Sequence, residues 1–80
     1  MAAKDLVEYV AKSLVDNPDG VVVEVEEDDD EVSLVLNVEQ ADMGRVIGRD
    51  GRIANAIRSL LRVMGARDGR HVELEIVTDE

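Results

Sequence analysis

The chain has 80 residues, enough for one small domain, and its core must be almost entirely aliphatic because Tyr9 is its single aromatic residue. The absence of cysteine excludes disulfide frameworks and thiolate metal sites. The net charge of −10 is unevenly distributed: the segment from Arg45 to Arg70 holds all seven arginines against two aspartates, a net of +5, whereas the rest has two lysines against seventeen acidic residues.

The first predicted element is a helix over residues 4–16. Apolar residues recur there at helical spacing, namely Leu6, Val7, Val10 and Leu14. Asp5 followed by Glu8 is typical of a capping arrangement at a helix start. The Asn-Pro-Asp-Gly run at residues 17–20 predicts that the helix ends in a turn.

Three segments alternate apolar and polar residues as strands do: 21–27, 31–38 and 71–77. The acidic run 28–30 between the first two is predicted to be a charged hairpin tip. It lacks the glycine and the alternation of a calcium-binding loop, so a metal site is disfavoured there. The open face of the sheet is expected to carry four glutamates, Glu24, Glu26, Glu73 and Glu75.

Two more helices are predicted between the second and third strands, at residues 41–47 and 52–64. In the longer one, Ile53, Ile57, Leu60, Leu61 and Met64 are expected to face the core, opposite Arg52, Asn55, Arg58, Ser59 and Arg62. Arg58 and Arg62 could lie on a plain solvated face or extend the basic surface. The order α-β-β-α-α-β predicts an α+β fold, a single domain over residues 1–80 with helices on one face of a three-stranded sheet.

The tetrapeptide RDGR occurs twice, at residues 49–52 and 67–70. The first copy, with Gly48 before it, joins the two predicted helices through a tight turn. Glycine permits backbone conformations that other residues resist and lets another backbone approach closely. The positive end of the following helix dipole points into this turn, which is a phosphate-binding geometry. Arg45, Arg49 and Arg52 add positive charge at the same end.

The stretch DMGRVIGRDGRIANAI resembles the signature of a KH domain, V-I-G-x-x-G-x-x-I-x-x-I. The matching positions are Val46, Ile47, Gly48, Gly51 and Ile57. Ala54 departs from the pattern, and Ile53 falls one residue early. The element order is similar to that of the bacterial, type II form of the fold. Over essentially its whole length, the chain resembles the small bacterial single-KH proteins of the KhpA family.

This resemblance implies an RNA-binding protein of the cytoplasm, such as a post-transcriptional regulator or RNA chaperone, whose GxxG loop clamps the backbone of about four nucleotides of single-stranded RNA. The residues to which it assigns RNA contact are Gly48, Arg49, Asp50, Gly51, Arg52, Arg45, Val46, Ile47 and Ile53. Leu36 and Val38 of the second strand are expected to line the same groove. The resemblance also implies a homodimer, and a heteromer with a larger KH-domain protein that carries a second nucleic-acid-binding domain.

The second RDGR copy is interpreted as a structural element. Gly65 is predicted to end the long helix, and Asp68-Gly69 is typical of a turn into the last strand. In the first copy, Asp50 places a carboxylate where phosphate is expected. It either weakens RNA binding or caps the following helix.

Several other functions are disfavoured. No nucleophile–base pair or metal-ligand cluster is apparent, so neither an enzyme nor a cofactor is predicted. The N-terminal stretch does not resemble a signal peptide, and no apolar run is long enough to span a membrane. Without stacking aromatics, RNA binding should be weak, salt-sensitive and of low sequence specificity. Two alternatives remain: an ordinary αα-hairpin turn that binds nothing, and a protein-interaction module with weak or lost RNA binding.

Overall fold

The computed structural model describes residues 2–78, and its elements follow the predicted order. The helices are α1 (Ala3–Leu14), α2 (Met43–Ile47) and α3 (Arg52–Asp68), and the strands are β1 (Val22–Glu27), β2 (Glu31–Val38) and β3 (His71–Thr78). Short 3₁₀ turns occupy Pro18–Gly20, Gln40–Asp42 and Arg49–Gly51. The predicted α+β class and element order are confirmed.

The three strands form one sheet in the order β1-β2-β3. β1 and β2 pair antiparallel across the hairpin, whereas β2 and β3 pair parallel. Parallel neighbours need a crossover connection, and α2 with α3 provides it. Central β2 alternates buried and half-buried residues after Glu31, as the sequence pattern predicts.

The core lies between one face of the sheet and the helices, and it is aliphatic as the composition requires. α1 contributes Val7 and Ala11, and α3 contributes Ile57 and Leu61, all of them buried. The sheet contributes alternate residues that point to the same side, among them Val23, Val32, Leu34, Leu36, Val38 and Leu74. Because all helices pack on this side, the other face of the sheet stays open.

The prediction that Gly65 ends the long helix is wrong, since α3 continues to Asp68. Its end is a Schellman motif, in which the Arg70 N–H donates to the Gly65 carbonyl at 2.8 Å and the Gly69 N–H to that of Ala66 at 3.3 Å. Gly69 takes the left-handed conformation that this motif needs. Gly65 is required for another reason: a Cβ there would meet the Arg70 carbonyl and the Val72 side chain, so only glycine lets β3 return so closely.

Leu60 was expected in the core but is 51% exposed, and its neighbour Val63 is 59% exposed. The buried stripe of α3 is narrow, consisting of Ala54, Ile57, Leu61 and Gly65. At about 100° per residue, Leu60 falls beyond the edge of that stripe, on the same flank as Val63. The helical pattern identified the element correctly but overestimated the width of its core-facing side.

The acidic hairpin tip is ordered by its own backbone and by contacts with the start of β3. The Asp28 carboxylate accepts hydrogen bonds from the N–H groups of Asp30 and Glu31, both at 2.8 Å. These bonds lower the pKa of Asp28. The Arg70 guanidinium donates to Glu27 at 2.7 Å, and that hydrogen bond raises the pKa of Arg70 above its ordinary value.

Candidate nucleic-acid interface

The first RDGR copy lies in a tight turn between α2 and α3, as predicted. The Gly48 N–H donates to the Gly44 carbonyl at 2.9 Å, and the Gly51 N–H donates to the Gly48 carbonyl at 3.1 Å. Gly48, Asp50 and Gly51 all have positive φ, at 78°, 57° and 77°. The turn therefore joins α2 to the first turn of α3 within four residues.

The two glycines of the loop differ in how strictly they are required. Gly48 combines φ 78° with ψ 172°, a region that is essentially restricted to glycine. A Cβ there would also lie 2.7 Å from Cγ1 of Ile53. Gly51 has φ 77° and ψ 15°, a left-handed conformation that asparagine and aspartate also adopt, and a Cβ there would have room.

Asp50 does not cap α3, so that alternative is wrong. The N-cap position of α3 is Gly51, and no side chain of the described residues caps the helix there. Asp50 instead takes the left-handed conformation itself, with φ 57° and ψ 23°, as aspartate does more readily than most residues. Its carboxylate is exposed at the tip of the turn, beside Arg49.

Exposed arginines surround this turn. Arg49 and Arg52 are exposed, and neither has a carboxylate within ion-pair distance among residues 2–78. Free guanidinium groups next to a glycine turn and a helix N-terminus are suited to bind phosphate groups. They are the unpaired positive charges nearest the loop.

The third predicted arginine, Arg45, is engaged in the protein itself. Its guanidinium contacts the Asp16 carboxylate at 3.1 Å and the Asp42 carboxylate at 3.5 Å, and it donates to the Ala41 carbonyl at 3.2 Å. These partners hold the side chain against the end of α1. Arg45 is therefore less available to a ligand than Arg49 or Arg52.

Asp42 is a structural residue of this region that the sequence did not single out. It is 2% exposed, and it is the one buried charged residue in the described part of the chain. Its two carboxylate oxygens accept hydrogen bonds from the N–H groups of Asp16 and Asn17, at 3.1 and 3.3 Å. Because Asp42 directly precedes α2, it fixes the short helix, and hence the glycine turn, to the chain that leaves α1. An aspartate before a short apolar helix is too common a pattern to have revealed this.

The predicted apolar contact residues divide into two groups. Ile47 and Ile53 are half-buried on either side of the turn and keep some surface there. Val46 is completely buried in the core, and so are Leu36 and Val38 of β2. The expectation that Leu36 and Val38 line an open groove is wrong, since β2 is the central strand and both residues point under the helices.

The strand that borders α3 at the sheet edge is β3. The Arg58 guanidinium reaches across and donates to the Leu74 carbonyl at 3.4 and 3.2 Å from its two nitrogens. Arg58 is half-buried and so does not lie on a plain solvated face, whereas Arg62 is exposed. An open cleft of about 280 Å³ lies here, lined by Arg58, Arg62, His71, Val72, Glu73 and Leu74.

Between residues 2 and 78, no group of three or more histidine, aspartate or glutamate side chains is placed to hold a metal ion. No helix in that range is long and apolar enough to cross a membrane.

The family model described as KhpA/KhpB, KH domain, matches residues 4–76. The chain is also similar to proteins named RNA-binding protein KhpA. That of Aquifex aeolicus is 47% identical over 76 residues, which cover 95% of this chain and 96% of the relative. Those of Borreliella burgdorferi and Listeria monocytogenes are 48% and 43% identical, covering 91% and 92% of this chain and 89% and 97% of theirs.

Among solved structures, the fold is similar to part of Era. A crystal structure of Era with MgGDPNP and a segment of 16S ribosomal RNA aligns with a TM-score of 0.61 at 21% identity, covering 95% of this chain and 29% of that one. Aquifex aeolicus Era bound to GDP.AlF4− aligns with a TM-score of 0.66 at 17% identity, covering 95% and 30%. At these identities the likeness concerns the fold alone. The family match over residues 4–76 and the three close relatives establish that the chain belongs to the KhpA/KhpB family of KH domains.

Proposed function

We propose that this protein binds single-stranded RNA and that the turn of residues 48–51 receives the RNA backbone. The observation that carries the proposal is the pairing of a positive-φ glycine turn with two exposed arginines, Arg49 and Arg52, that have no acidic partner among the described residues. The relatives' name, RNA-binding protein KhpA, supports the same class of ligand.

The proposed contact residues have different roles. Gly48 and Gly51 let the phosphate backbone approach the turn closely, and Arg49 and Arg52 neutralise its charge. Ile47 and Ile53 offer aliphatic surface to the first bases. The buried Val46 and the paired Arg45 position the turn without touching RNA. The Asp50 carboxylate repels phosphate and moderates the affinity.

The proposed binding is weak, salt-sensitive and of low sequence specificity. Tyr9, the one aromatic residue, is exposed on α1, and neither the turn nor the two helices that it joins contain an aromatic residue, so these segments offer no stacking surface to a base. Affinity then depends mainly on phosphate contacts, which weaken as salt competes. Such a protein suits a post-transcriptional or RNA-chaperone role in the cytoplasm, acting with a larger KH-domain partner that supplies a second RNA site.

The experiment compares Arg49→Asp with Arg67→Asp. Both change an exposed arginine of an RDGR tetrapeptide by the same charge, but Arg67 lies in the last turn of α3, away from the glycine turn. Affinity for a pool of short single-stranded RNAs is measured at low and at moderate salt. We expect Arg49→Asp to weaken binding about tenfold or more, and Arg67→Asp to weaken it less than about threefold.

Folding of both variants is checked by circular dichroism and thermal unfolding. Binding curves for Arg49→Asp that coincide with those of the unchanged protein would contradict the role of the turn. Equal losses from both variants would show that RNA responds to overall charge and not to this site.

A second candidate function is self-association through α3. Leu60 and Val63 are both more than half exposed and lie on one flank of the helix. In a chain of 80 residues with an aliphatic core, covering such a flank with a second copy would add apolar burial. The oligomeric state in solution tests this candidate, and it is compatible with RNA binding because the flank lies to one side of the turn.

A further inference from the structure

The open face of the sheet carries an arrangement of charges that RNA binding does not use. The register places Glu24 opposite Val35 and Val35 opposite Glu75, and side chains opposite each other point to the same face. One step along the strands, Glu26, Ser33 and Glu73 form a second row of the same kind. In these two rows central β2 carries no charge and a glutamate lies on each side of it, but Glu31 at the start of β2 adds a further negative charge to the same face.

One end of this face, together with Val35 on the central strand, is apolar. In the next row, Val22 and Val77 flank Asn37, and Val22 is 52% exposed. Val35 and Val77 are half-buried, although no helix of the described chain packs on this side. An exposed apolar patch bordered by charged residues is typical of a protein interface, whereas a surface that only keeps a protein in solution needs no such patch.

Three of these four glutamates lack a basic partner among residues 2–78. Between residues 2 and 78, the one basic side chain that contacts any of the four is His71, whose Nε2 lies 3.1 Å from Glu73. Glu24, Glu26 and Glu75 are exposed and unpaired within that range. Such an array repels RNA and attracts cationic groups.

The spacing of the two columns matches an α-helix. Neighbouring strands lie about 4.8 Å apart, so the outer strands are separated by about 10 Å. A helix with its side chains is about 10–12 Å across. We propose that the open face of the sheet docks a basic amphipathic helix of a protein partner. Its apolar stripe covers Val35 and, at one end of the face, Val22 and Val77, while lysines or arginines on its flanks pair with the glutamates.

The proposal is tested on the full chain with two synthetic peptides of about 18 residues, a length that spans the face as a helix. Both contain the same leucines and lysines. In one the leucines form a single stripe at helical spacing, and in the other they are scattered around the helix. We expect the striped peptide to bind at least about tenfold more tightly at moderate salt, where bulk attraction is screened.

Two matched variants locate the binding site. Glu24→Gln with Glu75→Gln removes two charges from the face, and Asp19→Asn with Asp29→Asn removes two exposed charges elsewhere. We expect the first pair to weaken binding of the striped peptide about tenfold and the second pair less than about twofold. Val35→Thr keeps the strand shape but makes the centre polar, and about a threefold loss is expected.

Three outcomes would overturn the proposal. One is failure of the striped peptide to bind. Another is equal binding of both peptides, or equal losses of affinity from both pairs of substitutions, because either result would show nonspecific electrostatic attraction. The third is self-association of the unchanged chain that is lost in the Glu24→Gln, Glu75→Gln variant, since the occupant would then be a second copy of this protein.

Discussion

At the scale of single residues, backbone conformation distinguishes the positions of the glycine turn. Gly48 occupies a region that only glycine populates readily, and its Cα faces Ile53 without room for a side chain. Asp50 and Gly51 occupy the left-handed region, which aspartate tolerates. Glycine is therefore required at position 48 by both conformation and lack of space, whereas at position 51 it is favoured mainly by the backbone conformation.

Two other glycines allow the effect of backbone conformation on stability to be measured without steric clashes. A Cβ at Gly44 or at Gly69 would meet nothing within 4 Å, but Gly44 is helical and Gly69 has φ 72°. We expect Gly44→Ala to raise the free energy of unfolding by about 0.5–1 kcal/mol, because alanine favours helix. Gly69→Ala should lower it by about 1 kcal/mol, because alanine resists the left-handed Schellman position.

Urea unfolding of both variants measures this difference. Two shifts of the same sign would contradict the assigned conformations of Gly44 and Gly69. Such a result would also place the end of α3 in doubt.

At the scale of elements, α3 contributes a buried stripe to the core, two exposed flanks to the surface, and its N-terminus to the glycine turn. Its buried stripe, ending at Gly65, packs against the sheet. One flank carries Arg58 and Arg62 beside the edge strand β3, and the other carries Leu60 and Val63. The N-terminus of the helix receives the glycine turn. A single helix therefore connects the proposed RNA site with a flank suited to self-association.

The self-association candidate predicts a difference between two flanks of that helix. Leu60→Glu with Val63→Glu should prevent concentration-dependent association, because it places charge in the proposed apolar contact. Asn55→Glu with Arg62→Gln makes the same change in net charge at exposed positions on the other flank and should leave association unchanged. Sedimentation velocity over a range of concentrations measures both. A monomer at every concentration in the unchanged protein would remove this candidate.

Most elements were predictable because their signals are local. Alternation located β2 at residues 31–38, the bounds that the structure gives it. The C-terminal end of α3 could not be predicted in this way, because a glycine near the end of a helical pattern usually marks its last turn. Only the close return of strand β3 explains why Gly65 lies inside the helix. Helical spacing likewise placed Leu60 on the apolar side without revealing how narrow that side is.

The candidate site shows the same limit. The glycine turn and its arginines, Arg49 and Arg52, could be predicted from the sequence, because all the residues that form the turn are adjacent in the chain. The engagement of Arg45 could not, because its partner Asp16 is distant in sequence. Burial of Leu36 and Val38 depended on the strand order, which alternation alone does not determine.

At the scale of the whole molecule, charge is segregated. The described arginines lie on α2, α3 and the segments that flank α3, whereas glutamates occupy the open face of the sheet and acidic residues the hairpin tip. The net charge of −10 therefore does not oppose RNA binding at the turn, because local field decides where a polyanion approaches. We expect the acidic face to repel RNA and thereby to disfavour binding in other orientations.

The most direct measurement of the central claim is a titration of isotope-labelled protein with a short single-stranded RNA, followed by amide chemical shifts. The account predicts that the largest changes map to residues 48–53 and the adjoining turn of α3, and that they shrink as salt is raised. Changes centred on the open sheet face around Val35, or an unchanged spectrum at low salt, would contradict it.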